Sequence, residues 1–103
     1  GAGKSTVGVV LAKALGYNFV DSDLVIQKET GKRLFEIIDE VGIDEFLNIE
    51  NRINAALSVE KSVVATGGSV IYGEEAMEHL KSIGKVIYLK TDYESLEKRL
   101  GNL

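Results

Sequence analysis

Cysteine and proline are both missing from this 103-residue sequence. Without cysteine there is no disulfide, no thiol nucleophile and no thiolate metal site. His79 is the single histidine, which rules out an imidazole cluster around a metal. It falls in a helical-looking run, 74–83, and reads as a surface residue. No apolar stretch approaches the roughly 18 residues of a membrane span, and no signal-peptide pattern is visible, so a cytoplasmic protein is expected. An excess of positive charge is lacking too. Twelve Lys and Arg against sixteen Asp and Glu leave a net charge of -4, whereas a nucleic-acid binder usually shows a basic face. The absence of proline goes with an absence of linkers, repeats and low-complexity tracts.

What is present is an ordinary globular balance, 45% apolar and 27% charged residues, on a length that fits at most one domain. Residues 4–15 read as a helix with Val7, Val10, Leu11 and Ala14 on one face and Gly16 as its stop. A short strand comes next over 18–20, then a helix through Lys28 that Asp23 is placed to cap, with Gly31 closing it. Residues 34–40 form a further helical segment. The longest helix is expected over 43–57, with Phe46, Ile49, Ile53 and Leu57 as its apolar stripe. The β-branched run 62–66 suits a strand buried on both faces. A helix over 74–83, a strand over 85–89 and a helix over 92–100 complete the pattern. Strands alternating with helices imply parallel crossovers and a layered α/β sheet.

The chemistry is concentrated in two places. Gly1, Ala2, Gly3, Lys4, Ser5 and Thr6 match the second half of the phosphate-loop pattern G-x-x-x-x-G-K-[ST]. Glycine lets the backbone approach an anion closely, and a helix start aims free N–H groups and the positive end of its dipole at it. Lys4 is placed to put a point charge on the β and γ phosphates of a nucleotide, and Ser5 to offer its hydroxyl to Mg²⁺. The plain alternative is a chance Gly-Lys-Ser-Thr at a helix start. The strand that would deliver the chain into such a loop is expected upstream and central in the sheet, so the pattern reads as incomplete at both ends.

The second place is Asp21-Ser22-Asp23, at the carboxyl end of the first strand, where open α/β sheets bind their ligands. In an extended chain both carboxylates would point to one side. One would serve Mg²⁺ through its water shell. The other would accept the proton of a substrate hydroxyl. The alternative is a turn with a helix N-cap.

With these residues in place, the sequence resembles the shikimate kinase family over essentially its whole length. The likeness rests on residues 1–8 and on Phe19 to Asp23. It continues through Gly31, Ile37, Gly42, Phe46 and Glu50 in the family's spacing, and through Gly67-Gly68 after a strand. It implies a three-layer α/β/α P-loop kinase fold with a parallel sheet, held in one partial domain over 1–103. It also implies transfer of the γ-phosphoryl of ATP to the 3-hydroxyl of shikimate, with Mg²⁺, in a protein that works as a monomer.

By that resemblance Lys4 and Asp23 are the catalytic residues. Gly1, Ala2, Gly3, Lys4, Ser5, Thr6 and Arg99 contact the nucleotide. Asp23, Gly67 and Gly68 hold the acceptor, and Ser5 and Asp21 serve the metal. The lid and its arginines are expected after Leu103, so the isolated 1–103 piece should be inactive. Three positions depart from the family pattern. Leu47 stands where the family carries an Arg for the shikimate carboxylate, a contact no apolar side chain replaces. Ser69 replaces a third Gly, and Ile43 replaces a Glu. Two other functions therefore stay open: a related kinase with a different hydroxyl acceptor, and a non-catalytic nucleotide-binding homologue.

Overall fold

The computed structural model describes residues 2–87, with side chains from residue 6 onward. In chain order it contains helix α1 (Ala2–Leu15), strand β1 (Asn18–Asp21), helix α2 (Ser22–Thr30), helix α3 (Leu34–Ala55) and strand β2 (Ser62–Ala65). A short 3-10 turn (Gly68–Tyr72) and helix α4 (Glu74–Ile83) come after it.

β1 and β2 pair in parallel, with Asn18 opposite Ser62, Phe19 opposite Val63, Val20 opposite Val64 and Asp21 opposite Ala65. Parallel neighbours cannot be joined by a tight turn and need a crossover. Here α2 and α3 supply it. The expected α/β class with a parallel sheet is therefore present.

α1 lies against both strands, on a face other than the one its hydrophobic spacing suggests. From residue 6 onward, Gly8 and Ala12 are its buried positions. Val7 and Val10 are half-buried, while Leu11 and Ala14 are exposed. The cause is steric. A Cβ on Gly8 would stand 2.6 Å from Cε1 of Phe19, so only a residue without a side chain lets helix and strand close to this distance. β2 departs from expectation as well. It is half-buried along its whole length because β1 is its one strand partner among the described residues.

The main apolar cluster joins the two crossover helices. Ile26 from α2 meets Ile37 and Phe46 from α3, with Leu34, Ile38, Leu47, Ile49 and Ile53 packed around them. Burying each of the three central side chains contributes about 1.5–3 kcal/mol. The two helical segments expected around Gly42 run on as α3, with the break retained inside it. Gly42 sits at φ 87°, ψ 166°, a positive-φ conformation that costs glycine little.

α4 begins without a capping side chain of its own. Asn51 of α3 supplies one across the fold. Its Oδ1 accepts from the Ala76 N–H at 2.9 Å, and its Nδ2 donates to Glu75 Oε2 at 2.9 Å. Helix caps of this kind contribute about 0.5–2 kcal/mol. His79, expected on the surface, is half-buried, with Nε2 2.5 Å from the carbonyl oxygen of Leu57, just after α3. Residues 85–87 carry no regular structure. The remainder of the strand expected over 85–89, the helix over 92–100 and Arg99 lie outside the described residues.

Candidate active site

The carboxyl ends of β1 and β2 lie side by side because the register pairs Asp21 with Ala65. The segments leaving the two strands therefore meet: Ser22 and Asp23 after one, Gly67, Gly68 and Ser69 after the other. β1 stops at Asp21, and Asp23 already belongs to the first turn of α2. The alternation of an extended chain does not govern Asp23, and the expected cap is reassigned for the same reason. Asp21 is the N-cap of α2, its Oδ1 accepting from the Asp23 N–H at 2.9 Å. A carboxylate in this position satisfies one of the free N–H groups of the helix start and meets the positive end of its dipole.

Asp23 turns toward the other strand end. A Cβ on Gly67 would lie 3.0 Å from Asp23 Oδ1 and 3.2 Å from Glu50 Oε2. Glycine at 67 thus permits two carboxylates to converge on the backbone there. Glu50 comes from the C-terminal part of α3, is only 2% exposed, and accepts from the Ser69 hydroxyl, whose Oγ is 2.8 Å from Oε1 and 2.9 Å from Oε2.

Both carboxyls are shifted upward. Burial pushes Asp23 above the ordinary aspartate range, and the neighbouring Asp21 charge adds to it. Burial likewise raises Glu50. The Ser69 hydrogen bond partly opposes the rise, and Asp23 reinforces it. An acid whose folded pKa is raised binds its proton more tightly when folded. Its contribution to stability is therefore greatest below its unfolded value and is lost as pH rises through the folded value. Replacing Glu50 by Gln removes this charge while keeping an oxygen for Ser69. The expected result is a higher Tm at pH 7, by ~2–4 °C for each kcal/mol relieved in a domain of 150–250 residues. The gain should shrink as pH is lowered toward 4.5, the ordinary glutamate value. Thermal scans of wild type and Glu50→Gln from pH 4 to 8 measure it, and an equal or lower Tm at pH 7 would contradict the assigned burial cost.

The other residues singled out in the sequence fall into three groups. Ala2, Gly3, Lys4, Ser5 and Thr6 lie in the first turns of α1, which carries no acidic side chain in its opening turn. The backbone of such a turn suits an anion, since its leading N–H groups have no intrahelical acceptor. Gly67 and Gly68 stand where the chain leaves β2, beside Asp23 and Glu50. Gly1 and Arg99 lie outside the described residues. Leu47 packs half-buried against the Ile26, Ile37 and Phe46 cluster, and Arg52 is exposed. The contact between Glu50 and Ser69 joins residues 19 apart in sequence, and each position had only its family spacing to mark it.

The chain resembles known proteins along its length. The family model described as shikimate kinase matches residues 1–103. Shikimate kinase 2 of Yersinia pestis (strain Pestoides F) is 41% identical over 100 residues, covering 97% of this chain and 58% of that protein. Shikimate kinase of Chlorobium chlorochromatii is 41% identical over 103 residues, covering 99% of this chain and 54% of its own length. Among solved structures, shikimate kinase from Acinetobacter baumannii in complex with shikimate superposes with a TM-score of 0.82 at 39% identity, covering 95% of this chain and 55% of that one. The chain thus spans somewhat more than half the length of the relatives it matches.

Proposed function

We propose a function from one established fact: the chain belongs to the shikimate kinase family, whose model spans residues 1–103. The full-length protein containing it transfers the γ-phosphoryl of ATP to the 3-hydroxyl of shikimate, in the cytoplasm and as a monomer. The observation that carries this reading is the meeting of Asp23 with Gly67 beside the end of β2. It sets a half-buried carboxylate where an acceptor would approach the helix that bears the phosphate-loop residues.

ATP brings the transferable phosphoryl group, and Mg²⁺ neutralises charge on its phosphates. The residues present fit both. The backbone from Gly1 to Thr6 offers N–H donors to phosphate. Lys4 would add a positive charge, Ser5 and Asp21 would offer the metal's shell oxygen, the donor Mg²⁺ prefers, and Arg99 would contact the nucleotide. Asp21 spends one oxygen on the α2 cap and keeps the other for this task. Asp23 accepts the proton of the acceptor hydroxyl. Its raised pKa makes it a stronger base than an ordinary aspartate. Gly67 and Gly68 let the acceptor ring lie against the backbone.

A second reading, a kinase for a different hydroxyl acceptor, is favoured by one observation. Leu47 is apolar and Arg52, the one basic residue of α3, is exposed, so α3 presents no cation to an acceptor carboxylate beside Glu50. ADP formation by the full-length protein with ATP and Mg²⁺, with and without shikimate, separates the two. Strong dependence on shikimate supports the first. Turnover that shikimate leaves unchanged refutes it and leaves the second.

A further inference from the structure

Glu50 is a buried carboxylate with few donors. A carboxylate offers about four lone-pair sites, and among the described residues the hydrogen bonds to Glu50's side chain come from one hydroxyl, that of Ser69. The ion pair formed among those residues, Lys32 with Glu40, lies elsewhere on the surface. Burying a charge with so little compensation is costly. It persists here with Asp23 close by, and both carboxylates converge on the Cβ side of Gly67. A ligand bearing several hydroxyl groups would supply the missing donors.

Ser69 decides which way Glu50 faces. It sits in the 3-10 turn directly after Gly67-Gly68, and its hydroxyl hydrogen reaches either carboxylate oxygen from a single position. Without it, Glu50 would have no side-chain partner among the described residues to fix its torsions within the site. The backbone of α3 at Glu50 is anchored separately, by the Asn54 amide donating to the Glu50 carbonyl at 2.9 Å. Removal of the Ser69 hydroxyl therefore frees the carboxylate and leaves the helix in place.

We propose that Ser69 is a positioning residue for acceptor binding: its hydroxyl holds the Glu50 carboxylate beside Asp23, so that the two meet the acceptor's hydroxyl groups as a pair of hydrogen-bond acceptors. The inference rests on the reading of this site as the acceptor site. It also sets the orientation of the bound molecule. The hydroxyl-bearing edge faces Asp23 and Glu50, and a carboxylate on the acceptor faces away from them, because like charges at this distance repel.

The test uses the full-length protein with ATP, Mg²⁺ and shikimate, reading KM for each substrate, kcat and Tm. Ser69→Ala is expected to raise KM for shikimate about tenfold, the worth of one hydrogen bond to a charged group. KM for ATP should hold, and Ser69→Thr should recover most of the loss by restoring the hydroxyl. Glu50→Ala is the second variant. In its background Ser69→Ala should add little, since the side chain that Ser69 positions is gone. A fall in kcat and Tm with an unchanged shikimate KM would overturn the proposal and make Ser69 structural. So would fully additive effects of the two substitutions. If wild type shows no turnover with shikimate, the acceptor reading itself fails. If it turns over and Ser69→Ala leaves KM alone, only the positioning role fails.

Discussion

Asp23→Asn in the full-length protein should lower kcat by about 10²–10⁴, the usual worth of a positioned acid or base, while KM for ATP changes little. Asparagine keeps the size and one acceptor oxygen of aspartate and loses its capacity to take a proton. The substitution therefore separates charge from shape. Three features assign the loss to chemistry at the acceptor. Asp23 stands at the end of β1 and faces Gly67 across the gap to β2. Burial and Asp21 raise its pKa, which strengthens it as a base. Its backbone N–H is bound to Asp21, so the turn that carries it is held by a bond the substitution leaves intact. Stability should rise slightly, because the folded state no longer bears that charge against Asp21 and Glu50. Steady-state kinetics with shikimate varied at saturating ATP measures the effect. A kcat within about threefold of wild type, far short of the usual worth of a positioned base, would remove Asp23 from the proton transfer.

Gly8→Val should destabilise the fold by about 1–3 kcal/mol, the range for overpacking a tight interior contact. The added Cβ would stand 2.6 Å from Cε1 and 3.4 Å from Cδ1 of the Phe19 ring. Phe19 lies in β1 opposite Val63, so its ring cannot retreat without disturbing the strand pair. Helix α1 must therefore move outward, and with it Lys4 and Ser5 in its opening turns. The consequence reaches function: KM for ATP should rise along with the loss of stability. Gly8→Ala gives the smaller version, because alanine's higher helix propensity offsets part of the clash. Urea unfolding midpoints of the three proteins order the effect as wild type, Ala, Val. A Val variant as stable as wild type would mean that α1 does not rest on Phe19.

These two positions also show what the sequence made legible. Asp23 was visible because its neighbours are local: a β-branched and aromatic strand, two carboxylates after it and a helix beyond. Which aspartate caps α2 was not, since both Asp21 and Asp23 are good capping residues and the choice depends on where the strand ends. Gly8 was hidden because hydrophobic periodicity looks for large side chains on the buried face. α1 buries Gly8 and Ala12 and leaves Leu11 and Ala14 exposed. The helix faces a strand whose own aromatic ring fills the space, so the volume comes from Phe19.

Long-range pairs were the other blind spot. Asn51 of α3 caps α4 from across the fold, and Glu50 is held by Ser69. In both cases a polar residue on α3 meets the segment after β2. The spacing of α3 alone gives no reason to prefer Glu50 or Asn51 over exposed neighbours such as Asn48 or Arg52. Only the crossover that returns the chain to β2 brings the partners in. Leu47 illustrates the converse. Its departure from the family pattern drew attention to it as an acceptor residue, and the spacing gave no sign that it also packs against the cluster of Ile26, Ile37 and Phe46.

Everything proposed for this site turns on the acceptor hydroxyl being received at Asp23, between the ends of the two strands. The most direct measurement is the distance from the Asp23 carboxylate to the nearest shikimate hydroxyl in a crystal structure of the full-length protein with shikimate and ADP. The expected result is a hydroxyl within about 2.6–3.2 Å of that carboxylate, the reach of a proton acceptor, with the ring against Gly67 and Gly68. Shikimate bound elsewhere, with Asp23 out of hydrogen-bond reach of every hydroxyl, would contradict it.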